Sequence, residues 1–127
     1  MNVIKHTVIV TTGASDGKGS AYTPVINGRI LNVIYEKAAE AVAFSDGVDV
    51  EITTEDTEMD IVDKDNMDAS VTYAPRQAIH LTTGAAALYS AEGTAVTDFI
   101  YVANERIKIA VENGGNSKTG TFTVIVG

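Results

Sequence analysis

The stretch V-D-V-E-I-T-T, Val48 to Thr54, sets Val48, Val50 and Ile52 on one side of an extended chain and Asp49, Glu51 and Thr53 on the other. A helix would scatter these residues around its circumference. The two-residue period of a strand instead collects the apolar ones on a single face. The same period recurs in R-I-K-I-A-V-E, Arg106 to Glu112, where Ile107, Ile109 and Val111 oppose Arg106, Lys108 and Glu112. It recurs again at Thr121 to Val126, where Phe122, Val124 and Val126 oppose Thr121, Thr123 and Ile125.

Five further strands follow outward from these three: Lys5–Thr11, Gly28–Tyr35, Ser70–Ala74, Ala78–Thr82 and Val96–Val102. The run Ile30 to Tyr35 is apolar on both faces, as in a strand covered on both sides. Turn formers separate the strands at Asp46–Gly47, Ala74–Pro75, Glu92–Gly93 and Asn113–Gly114–Gly115–Asn116. About eight strands with such punctuation predict a single all-β domain over residues 1–127, an antiparallel β-sandwich or a jelly-roll or barrel-like form of it. Helix is confined to one or two short turns: Glu36 to Phe44 has the best propensity, and Gly84 to Ala91 has room for one turn.

Composition narrows the function. The chain has 127 residues, enough for one core, and no cysteine, which removes disulfides, thiolate metal sites and a cysteine nucleophile together and suits a reducing cytosol. No run approaches the ~18 apolar residues of a spanning helix, and residues 1–12 do not read as a secretory signal. The net charge is −8, with 12 of the 17 acidic residues and only Lys37 and Lys64 between Glu36 and Asp68. Such a surface repels nucleic acid, so no nucleic-acid partner is expected.

The loop T-T-G-A-S-D-G-K-G-S, residues 11–20, follows an apolar run and invites comparison with a phosphate-binding loop. That motif needs four residues between its glycines, Ser or Thr after the lysine, and a helix to follow. Here three residues separate Gly13 from Gly17, Gly19 follows Lys18, and Pro24 opposes a helix. It reads as a strand connection. The acids Asp60, Asp63, Asp65 and Asp68 have calcium-loop composition without the turn glycine or terminal glutamate of a helix–loop–helix site. His6 and His80 lie in separate strands, and no serine sits in a G-x-S-x-G elbow. No catalytic residue, cofactor, metal, small-molecule substrate or membrane contact is assigned. The five tyrosines, Tyr22, Tyr35, Tyr73, Tyr89 and Tyr101, suit half-exposed strand positions and subunit contacts.

The segments F-S-D-G-V-D-V-E-I-T-T-E-D (44–56), L-T-T-G-A-A-A-L-Y-S-A-E-G-T-A-V (81–96) and V-A-N-E-R-I-K-I-A-V-E-N-G-G-N-S-K-T-G-T-F-T-V-I-V-G (102–127) together resemble the head decoration, or cement, proteins of tailed bacteriophages. The likeness covers roughly Gly28 to Gly127. It implies a β-rich virion structural protein, assembled in the host cytoplasm and seated on the outer capsid surface, with the major capsid protein and its own copies, as a homotrimer, for partners. A tail or neck component of such a phage, and a carbohydrate- or calcium-binding sandwich module, are the alternatives. Two contact patches are expected. One is an N-terminal arm over residues 1–7, with Asn2, Val3, Ile4 and Lys5, pairing with a neighbour's sheet edge. The other is a protruding hairpin loop over residues 113–120, with Asn113, Gly114, Gly115, Asn116 and Lys118.

Overall fold

The computed structural model describes residues 2–127 and is all-β. Ten strands form two antiparallel sheets: β1 (Ile4–Thr11), β2 (Gly19–Tyr22), β3 (Ile26–Lys37), β4 (Asp49–Thr54), β5 (Asp60–Lys64), β6 (Val71–Tyr73), β7 (Arg76–Ala78), β8 (Thr97–Glu105), β9 (Ile107–Glu112) and β10 (Thr119–Val126). The larger sheet runs β1-β10-β3-β8-β7, with β6 pairing the other half of β3, and the smaller runs β2-β9-β4-β5. The expected sandwich is present, with ten strands rather than eight.

The alternations predict the inner faces correctly. Val48, Val50, Ile52, Ile107, Ile109, Val111, Phe122, Val124 and Val126 are all buried in one core between the sheets. Ile30, Val33 and Tyr35 of β3 join them, whereas Leu31 and Ile34 are only half-buried, so β3 is covered on one face rather than both. Phe122 stacks on Tyr35 with ring centroids 5.0 Å apart, and Tyr35 stacks on Phe44 at 6.2 Å.

No helix forms among the described residues. Within Glu36 to Phe44 the first two residues extend β3, and a single turn follows in which Val42 and Ala43 N–H both donate to Ala39 O. Burial of Ala43 and Phe44 at the end of the sandwich outweighs the helix propensity of this segment. Gly84 to Ala91 is not a helical turn either but part of an extended excursion between β7 and β8.

The chain changes sheet sharply between β8 and β9, where Arg106 alone separates them. Two carboxylates fix this corner to the β4–β5 turn. Buried Glu105 accepts hydrogen bonds from Asp56 N and Thr57 N on Oε1 and from the Thr57 hydroxyl on Oε2, each at 2.8 Å. Arg106 donates to both oxygens of Glu55, with the Nε bond at 2.6 Å, and lies 4.1 Å from the Tyr22 ring centroid. The Thr57 N–H is the foremost cause holding the Glu105 carboxyl below the usual range. The Thr57 hydroxyl and Asp56 N–H add to it, against the opposing effects of burial and the Glu55 charge. A carboxyl with a depressed folded value contributes stability that is complete above its unfolded value of about 4.3 and is lost as pH falls through the folded one. Glu105→Gln is therefore expected to lower the urea midpoint at pH 7, with the gap from the native chain narrowing as pH falls below 4. A gap that widens on acidification would contradict this assignment.

Candidate interaction surface

The chain leaves the larger sheet after β7 and returns at β8, and the intervening residues 79–96 fold on themselves. Ile79 N donates to Val96 O, Val96 N to Ala87 O and Ala87 N to Ile79 O, so three extended segments close a cycle of main-chain bonds. Bridges His80↔Ala86 and Leu88↔Ala95 extend it, and Leu81 N→Ala85 O and Tyr89 N→Thr94 O shape its two turns.

The excursion presents its apolar side chains outward. Tyr89 is 75% exposed and Leu81 57%, with Leu88 and Ile79 also exposed. Glu92 is the only charged residue between Arg76 and Asp98. At its base, Phe99 carries Arg76 4.0 Å and Arg29 5.0 Å from its ring centroid, and exposed Tyr101 lies opposite Arg29 in the ladder. Exposed apolar side chains on a nearly uncharged excursion, with arginine and tyrosine at its base, have the composition of a protein contact surface.

The residues expected to make contacts are placed differently. Met1 lies outside the described residues. Asn2 and Val3 are exposed and precede β1, but Ile4 to Thr7 are no arm: they belong to β1 and pair with Val126 to Thr123 of β10. Residues 113–120 are not a protruding hairpin, because β9 and β10 lie in different sheets and this segment crosses between them. Gly114 is buried, donating its N–H to Gly17 O and accepting from Ser45 N. Gly115 O accepts the Thr12 hydroxyl at 2.6 Å, and Lys118 Nζ donates to Ala41 O at 3.0 Å. Thr119 and Gly120 are already in β10. Within 113–120 Asn113, Asn116 and Ser117 are exposed, and Asn113 donates to Asp49 Oδ2. The two expected patches lie at opposite ends of β1, about 20 Å apart at the rise of a strand.

The loop 11–20 crosses from β1 to β2 and is tied to 113–118 by Thr12 N→Lys118 O and Ser117 N→Gly13 O, and β2 rather than a helix follows Lys18. The acidic segment is β5 in part. Asp63 faces Glu51 and Asp49 faces Glu112 across the smaller sheet, and among the described residues no three acidic or histidine side chains converge to hold a metal ion. A concavity of about 580 Å³ between Lys37, Phe44, Asp46 and Lys118 is open, and the ammonium groups of its two lysines are engaged by main-chain carbonyls. Comparison with protein-family models, with curated protein sequences and with solved structures gives no match.

Sequence reasoning named Tyr89 and Tyr101 only as members of a class and missed the excursion as a surface. The signal that marks it is charge: one ionised side chain in the 21 residues from Gln77 to Thr97, in a chain that is 20% charged.

Proposed function

We propose that this protein is a non-enzymatic structural subunit of a tailed-phage head, docking on the outer capsid surface through the 79–96 excursion. The observation that carries the reading is that folded, exposed and nearly uncharged protrusion, with Leu81, Leu88 and Tyr89 as its apolar anchors. The resemblance to decoration proteins supplies the partner. The all-β body suits the role, because such a subunit needs a stiff scaffold and no reaction centre. Repetition of one modest contact over a shell adds through multivalency, and the acidic surface keeps the subunit off packaged DNA.

The test is binding to purified, undecorated capsid shells, read as copies per particle after sedimentation. The native chain is expected to saturate the shells. Leu88→Asp/Tyr89→Asp, which adds charge only at exposed positions and should leave the melting temperature nearly unchanged, is expected to bind at less than about a tenth of that level, the scale expected when anchor residues are lost. Equal occupancy by this variant, or antibody label on the tail of intact virions, would overturn the reading.

A further inference from the structure

The larger sheet ends at β1, whose one partner is β10. Thr12, opposite Lys118 in the continuing register, donates its N–H to Lys118 O at 2.8 Å. Antiparallel ladders alternate, so the even residues of β1 turn their main-chain groups to β10, and Lys5, Thr7 and Ile9 turn theirs to the open edge. Beyond them Thr11 O is covered by Gly19, where a Cβ would come within 2.5 Å of it.

Open edges are normally kept short, bulged, interrupted by proline or charged. The other sheet edges follow that pattern: β7 has three residues, β2 has four, and β5 carries Asp60 and Asp63. β1 has eight residues, an unbroken register, no proline and Lys5 as its one charged side chain apart from His6. Ile9, on its outer face, is 64% exposed.

We propose that β1 pairs antiparallel with β1 of a second copy about a twofold axis at Thr7, joining the two large sheets into one. Charge selects this occupant and this register. The acidic strands β4 and β5 lie on the far side of the smaller sheet from β2, which adjoins β1. Two bodies of net charge −8 therefore approach along a side that does not carry the acidic β4 and β5 strands. Parallel in-register pairing, or an axis at Lys5, would set Lys5 beside its own copy, which is unfavourable. An axis at Thr7 sets Lys5 opposite Ile9 of the second copy, so the lysine stem covers the exposed isoleucine while its ammonium stays in water. Lys5, Thr7 and Ile9 then complete their main-chain hydrogen bonds. The pairing does not use the 79–96 excursion, so its failure leaves the docking proposal standing.

Sedimentation equilibrium of the native chain over a wide range of concentration is expected to fit a monomer–dimer equilibrium. Thr7→Pro removes an outward N–H while sparing the bonds to β10. It is expected to be monomeric with native circular dichroism. Ile9→Lys places like charges opposite each other twice per interface and should weaken association about tenfold. Ile9→Glu places opposite charges there and should retain or tighten it. A monomeric native chain, a trimer, or a dimer that survives Thr7→Pro would overturn the proposal. Loss of the dimer in Ile9→Glu would overturn its register.

Discussion

Phe122→Ala is expected to lower stability by about 3–5 kcal/mol, and with it the melting temperature by about 10–20 °C for a domain of this size. Phe122 is fully buried at the centre of β10, between Val8 of β1 and Tyr35 of β3, and its ring stacks on that of Tyr35. Truncation removes the transfer energy of the ring and leaves a cavity that cannot collapse, because β10 is held on both sides by ladders. It also strips one neighbour from the Phe122–Tyr35–Phe44 stack. Phe122→Leu keeps most of the volume and should cost about 1.5 kcal/mol. Urea unfolding of both variants against the native chain decides the matter. A loss below 1 kcal/mol for the alanine variant would mean that the stack is not the centre of the core.

The opposite perturbation at the other end of the same stack is expected to be nearly as damaging. Gly120 lies in the regular ladder of β10 between Val10 and Lys37, so space rather than backbone conformation dictates glycine here. A Cβ would come 2.5 Å from Phe44 Cε2 and 2.9 Å from Tyr35 Cε1, both in buried rings. Gly120→Val should cost about 3 kcal/mol, the upper end of ordinary overpacking, with Gly120→Ala less. If the clash with Phe44 is the cause, Phe44→Leu in the Gly120→Ala background should return part of the loss, a coupling that a double-mutant cycle measures. Strict additivity would place the strain elsewhere.

What could be read from the sequence tracks how far each element's pattern is local. β4 and β9 each bury one face, and in β10 Thr123 alone of the opposite face is buried as well, so alternation names both the strand and its apolar inner residues. β5 breaks the rule: Ile61 and Val62 are adjacent and both buried, because the register with β4 shifts between Ile52 and Thr53. Its flanking aspartates then read as a loop. β2, G-S-A-Y, is too short for any period to show. The run Gly84 to Ala91 is rich in good helix formers, yet it closes a ring with Ile79 and Val96 that no window of neighbouring residues contains. The hairpin expected at 113–120 failed for a related reason. Strong strands adjacent in sequence usually pair, but β9 and β10 enter different sheets, and only the partners contributed by β1, β3 and β4 reveal this. The expected contact residues at 113–118 therefore fell on a crossing between the sheets, with Gly114 buried, those at 2–5 fell on the exposed start of β1, and the 79–96 surface lay in a segment whose alanines suggested helix.

The central place of β10, between β1 and β3, sets the timing of folding in the cell. Until Thr119 to Val126 emerge from the ribosome, β1 has no ladder partner among the described strands and the core lacks its middle row. Consolidation must wait for β10 to be translated, and then close contacts between residues more than a hundred positions apart, a slow step for any chain. During that wait both flanks of the Ile4–Thr11 segment are open to mispairing with other chains.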